Sequence, residues 1–145
     1  MKRPDQVKTA PDQGMGDRVP PGQFLTTKFP VLTYGPEPKI DLATWEIRVF
    51  GLVEQDITLN WEQFSNLQWT TNLADFHCVT QWSQLDNTWD GISFANLVEV
   101  ASPKPEAKFV MAHCYGGYTA NLPLDLAMEE GILAHKQDGE PMGIS

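Results

Sequence analysis

The chain has 145 residues, the size of one domain, and its 41% hydrophobic and 10% aromatic content is enough for a packed core. A formal net charge of −9 excludes the basic face that non-specific nucleic-acid binding needs and works against an anionic membrane surface. No apolar run approaches the roughly 20 residues of a membrane span, so no membrane insertion is expected. No apolar stretch follows the basic start "MKRPDQVKTAPDQ" either, so a cytoplasmic location is expected.

Seven of the eleven prolines lie in the first forty residues, which excludes helix or central strand there. Residues 1–22 read as a mobile arm. Residues 23–40, "QFLTTKFPVLTYGPEPKI", carry enough apolar side chains to lie as an extended strap against the body. "TWEIRVFGLV" then alternates, with Trp45, Ile47 and Val49 on one face, and reads as a strand ended by Gly51. "DITLNW" is a second strand that can pair with it as a hairpin. "WEQFSNL" gives one or two helical turns. "WTTNLADFHCV" leans to strand, and a polar loop flanked by Trp82 and Trp89 follows it, with Trp89 and Gly91 shaping that loop. "GISFANLVEVA" has Ile92, Leu97, Val98 and Ala101 at helical spacing, with Ser93 as its cap. "AKFVMAHCY" reads as a buried strand. Pro123 opens a short helix, "LDLAMEE", closed by Gly131, and "ILAHKQDGEP" is a last strand with an Asp-Gly turn. The expected fold is α+β, with a mixed or largely antiparallel sheet and short helices. No Gly-rich phosphate loop or internal repeat is present.

The chemistry concentrates in "DFHCVTQWSQLDNTWDG", Asp75 to Gly91, which carries one of only two cysteines, Cys78 and Cys114. Two thiols without an export signal read as free or ligating rather than as a disulfide framework. Each follows a histidine, so His77-Cys78 and His113-Cys114 together could make a tetrahedral zinc site. Adjacent residues on a strand point to opposite faces, so one metal would take only one residue from each pair, which weighs against zinc. A nucleophilic cysteine would need a base from His77, His113 or His135, and no local pattern supports such a triad. A soft thiolate also suits molybdenum held by a dithiolene cofactor, where a deprotonated protein sulfur completes the coordination.

"CVTQWSQLDNTWDG" resembles the motif of the sulfite-oxidase-like molybdopterin oxidoreductases, in which Cys-Val is followed by Trp-Ser, then Trp and Gly. "PPGQFLTTKFPVLTYGPEPKIDLATWEIRVFGLVE" is similar to the opening segment of that family's small cytoplasmic branch, and "KPEAKFVMAHCYGGYTANLPL" to its next strand and substrate-side loop. This branch is related to the catalytic subunit of bacterial methionine-sulfoxide reductase. The likeness runs from about Pro20 to Pro141.

The resemblance implies a molybdopterin-binding domain over residues 23–145 with Mo-molybdopterin as cofactor and Cys78 as the molybdenum ligand. It places Leu32 and Thr33 against the pterin. Cys114 falls where the relative has a cofactor-touching threonine, a departure that a weakly donating thiol can partly fill. His77, Trp82 and Ser83 would line the pocket. A disulfide between Cys78 and Cys114 is conceivable in an empty site.

The implied activity is oxygen-atom transfer on a small-molecule substrate, an S- or N-oxide or a sulfite-like compound, with electrons exchanged through a partner protein. No haem motif is present. The family continues past "DGEP" with segments that bind the pterin phosphate, so the domain reads as C-terminally incomplete. Charge agrees: after Arg48 stand three cations, Lys104, Lys108 and Lys136, against thirteen carboxylates. A cofactor-free interaction module that keeps the fold is the alternative reading.

Overall fold

The computed structural model describes residues 16–30, 35–36 and 38–142. Leu32 and Thr33, expected against the pterin, lie outside the described residues. Strand β1 (Phe24–Leu25) belongs to the strap. Strands β2 (Glu46–Val49) and β3 (Ile57–Asn60) form the first expected hairpin, with Ile47 opposite Leu59. Helix α1 (Trp61–Ser65) starts at a capping box: Asn60 accepts from the Gln63 N–H and Gln63 returns the bond to the Asn60 N–H.

The main sheet is built around β5 (Trp82–Ser93). Strand β4 (Trp69–His77) runs antiparallel along one edge. The other edge is shared: β1 pairs in parallel with Trp82 and Ser83, and β8 (Ile132–Gln137) pairs antiparallel with Trp89–Ser93. A two-residue strand β9 (Glu140–Pro141) follows β8 through Asp138 and Gly139, both at positive φ as an Asp-Gly hairpin turn requires. The sheet is therefore mixed, as expected.

The polar loop expected between Trp82 and Trp89 is instead continuous strand. Its polar groups find partners across the sheet. Asn87, 1% exposed, donates to the Gln84 carbonyl and accepts from Gln137, while the Thr88 N–H is bound by Asp138. Propensity underrates such a strand because tertiary hydrogen bonds, not side-chain character, satisfy it. Ile92 also belongs to this strand rather than to the helix. Helix α2 (Phe94–Glu99) begins after Ser93, whose hydroxyl accepts from the Asn96 N–H.

Ile57, Phe64, Ile92, Leu97 and Ala101 form the core, with Trp45, Ile47, Val49 and Leu133 packed against it. The face predicted from alternation in β2 is thus the buried one. Each fully buried aliphatic side chain here contributes about 1.5–3 kcal/mol.

Strands β6 (Phe109–His113) and β7 (Thr119–Pro123) form a separate two-stranded sheet, with α3 (Leu124–Glu130) packed against it. The expectation of a buried strand fails for β6: Phe109 is 68% and Met111 53% exposed. Its apolar pattern is that of a covered strand, but α3 covers only part of this hairpin.

Candidate functional site

The site is built on a hairpin. His77 closes the β4–β5 pair opposite Ser83, and Cys78 is the first residue beyond the ladder. The Cys78 N–H donates to the Trp82 carbonyl at 2.9 Å, and the Cys78 carbonyl accepts from the Gln81 N–H at 3.0 Å. Gln81 lies in the left-handed region at φ 70°. This is the three-residue hairpin loop in which a turn is followed by one left-handed residue. It places Cys78 beside the exposed apex, where Val79 is 94% exposed.

The loop also tunes the thiol. Thr80 Oγ1 lies 3.2 Å from Cys78 Sγ. The Thr80 hydroxyl first, then the Thr80 and Val79 N–H groups, hold the Cys78 thiol below its ordinary range against an opposing desolvation effect. Donors aimed at sulfur favour the charged form.

The strap fastens the same hairpin. The Phe24 N–H donates to the Gln81 carbonyl and the Thr26 N–H to the Ser83 carbonyl. Phe29 packs edge-on against Phe76, Trp82 and Trp89, and Phe76 stacks on Trp82 with centroids 5.3 Å apart. Trp82 is buried, and its Nε1–H has no acceptor among the described residues. Such a donor costs on the order of 1–3 kcal/mol until an acceptor reaches it. Further back, within the stretch read as an arm, Arg18 binds Asp75 and Asp86, each at 2.6 Å. That guanidinium, followed by the Asp86 N–H, holds the Asp75 carboxyl below the usual carboxylate range.

Behind the cysteine, Ser83 is fully buried. Its hydroxyl donates to Gln23 Oε1 and lies 2.9 Å from His77 Nδ1. Neither Gln23 nor Thr80 stands out in the sequence as a site residue. Thr80 could have been found, as a hydroxyl two residues beyond a turn cysteine. Gln23 is sixty positions from Ser83 and carries no local signal.

The second His-Cys pair repeats the loop but faces other elements. Cys114 is exposed in a hairpin closed by His113 and Thr119. The His113 ring lies near Phe50, and the Tyr115 hydroxyl bonds the Glu46 backbone. Both cysteines are free thiols. His135 packs between Trp61 and Trp69. No group of three or more His, Cys, Asp or Glu that could hold a metal is present among the described residues.

The Cys78 loop thus sets a sulfur with a lowered pKa beside the apex of a hairpin on a mixed sheet. The chain belongs to the family described as "Oxidoreductase molybdopterin binding domain", which matches residues 34–144. It is similar to the oxidoreductase YuiH of Bacillus subtilis (strain 168), 42% identical over 127 residues. That match covers 86% of this chain and spans 64% of the relative's length. It is also similar to the protein-methionine-sulfoxide reductase catalytic subunit MsrP of Campylobacter jejuni, 35% identical over 66 residues, covering 46% of this chain and 22% of that protein. Among solved structures, the sulfane dehydrogenase SoxCD from Paracoccus pantotrophus shares the fold, with TM-score 0.64 and 20% identity over 73% of this chain and 32% of that one.

The molybdopterin that this family binds fits the residues present at one point in particular. A soft metal carried by that group would take a deprotonated sulfur, and the Cys78 loop favours the thiolate form. No helix among the described residues is long and apolar enough to cross a membrane.

Proposed function

We propose that this chain holds Mo-molybdopterin for oxygen-atom transfer of the sulfite-oxidase type, with the Cys78 thiolate as the metal's protein ligand. The observation that carries this reading is the Cys78 loop, where a side-chain hydroxyl and two backbone N–H groups favour the thiolate at an exposed apex. When bound, the molybdenum centre would supply the two-electron redox chemistry.

The chain's own residues do the holding. The three-residue loop fixes Cys78 at the apex, and the strap keeps that loop closed through β1. His77 and Trp82 stand next to the ligand as pocket residues, and Ser83 supports them from the interior. Leu32, Thr33 and Cys114 would contact the pterin. The shortage of cations after Arg48 favours a neutral S- or N-oxide over an anion such as sulfite. Electrons would come from a separate redox protein, in a cytoplasmic setting.

A second reading has its own support. Phe109 and Met111 are exposed on β6, and a cofactor-free module that binds a partner through this hairpin would also show them.

Elemental analysis separates the two. Expressed in a host that makes molybdopterin, the chain is expected to carry about one molybdenum, absent in Cys78→Ser. A metal-free chain whose Cys78→Ser variant behaves identically would replace the enzyme reading with the module.

A further inference from the structure

The hydrogens around Ser83 can be counted. A serine hydroxyl has one proton to give and two lone pairs. Ser83 gives its proton to Gln23 Oε1, an atom that can only accept. The 2.9 Å contact to His77 Nδ1 then requires the ring to be the donor. Ser83 is 0% exposed, so water does not replace either partner. A neutral histidine that carries its proton on Nδ1 has a bare lone pair on Nε2.

The backbone fixes each member of this chain of bonds. His77 and Ser83 are a closing pair of the hairpin. Gln23 is held from both sides, by its own N–H on the Pro20 carbonyl and by the Phe24 N–H on Gln81. His77 is itself exposed, directly before Cys78, and no described residue bonds its Nε2.

We propose that Gln23 and Ser83 are positioning residues that lock His77 in its Nδ1–H tautomer, presenting Nε2 as a hydrogen-bond acceptor beside the Cys78 ligand position. The group it would receive is an N–H or O–H donor on a molecule bound at that position. The assignment of that molecule rests on the function proposed above, whereas the tautomer does not. Fixing a ring nitrogen through a bond made by the other one is a common way to set the basicity and aim of a histidine next to a metal.

The test is nitrogen NMR of the metal-free chain with labelled histidine, at a pH well above the ordinary imidazole range so that the ring is neutral. The His77 signals, among those of three histidines, are those lost in His77→Asn. The expected spectrum has a pyrrole-like Nδ1 and a pyridine-like Nε2. Gln23→Ala frees the Ser83 proton to turn toward Nδ1, so the two signals should exchange character. Gln23→Glu keeps an acceptor and should restore the original pattern. Ser83→Ala, read with circular dichroism to establish folding, should give the same exchange as Gln23→Ala. An Nε2–H ring in the unaltered chain, or an Nδ1–H ring that survives Gln23→Ala, would overturn the proposal. Molybdenum content reports on the ligand assignment separately, so the two readings can fail independently.

Discussion

Cys78 and Cys114 occupy the same position in two hairpins of one design. Each follows a histidine that closes a strand pair. Each donates its N–H to the carbonyl four residues on and accepts at its own carbonyl from the N–H three residues on, at 2.9–3.0 Å throughout. The left-handed residue is Gln81 in the first loop and Gly117 in the second, at φ 70° and 81°. The loops differ in the residue two beyond the cysteine: Thr80, which reaches the sulfur, and Gly116, which has no side chain. Equal backbones with unequal donors distinguish the sulfur proposed as metal ligand from one that has no hydroxyl beside it.

That difference sets the first prediction. In a host that supplies the cofactor, Cys78→Ser should remove molybdenum, because an alcohol is a poor ligand where a thiolate is needed. Cys114→Ser and Cys114→Thr should keep it, since both retain a small polar group. Metal content by mass spectrometry of each purified variant checks this. Equal loss from both cysteines would make the two loops equivalent after all.

The second prediction concerns the acidity of the thiol. Thr80→Val removes the largest of the effects that favour the Cys78 thiolate. The pH profile of Cys78 alkylation, measured on a metal-free Cys114→Ser background, should move to higher pH. At neutral pH the reaction should slow, because less of the thiol is ionised. An unchanged profile would mean the backbone N–H groups act alone.

The sequence makes legible whatever depends on local pattern. Alternation in Trp45, Ile47 and Val49 marks the core face of β2, the Asp138-Gly139 turn marks the β8–β9 hairpin, and Ser93 marks the start of α2. It does not reveal what depends on partners far along the chain. The Trp82–Trp89 stretch looks like a loop because Asn87 and Asp86 are weak strand formers, yet Gln137 donates to the Asn87 side chain, Asp138 accepts from the Thr88 N–H and Asp75 accepts from the Asp86 N–H. β6 looks buried because its residues are apolar, while the structure covers it only in part. At the site, the family motif points to Cys78 directly. Gln23 and Arg18 reach the hairpin only through the fold.

Gly91 gives a third prediction. It is buried where the β5–β8 register shifts, and a Cβ there would collide with the Leu133 carbonyl oxygen and the backbone of Ala134. Backbone cannot step aside as a side chain can. Gly91→Ala should destabilise the chain by about 1–3 kcal/mol or more, the usual cost of forced overpacking. Urea unfolding reads this as a lower midpoint. A midpoint within error of the unaltered chain would mean that β8 shifts freely.

Arg18 gives the last. Its guanidinium bridges Asp75 and Asp86 at the base of the Cys78 hairpin, with its side chain 41% exposed and that of Asp86 57%. Ion pairs this open are weak and screened by salt, so Arg18→Ala should lower the melting temperature by a few degrees at most. The pH dependence is more telling. Asp75 has a lowered pKa in the folded chain, so its stabilisation is present above the unfolded carboxylate value, about 3.9, and is lost as pH falls through the folded value. The difference between the unaltered chain and Arg18→Ala should therefore be full near neutral pH, shrink below about pH 4 and shrink again in molar salt. Melting curves across that range decide it. A gap that persists in acid would mean Arg18 acts through packing of its stem rather than through the carboxylates.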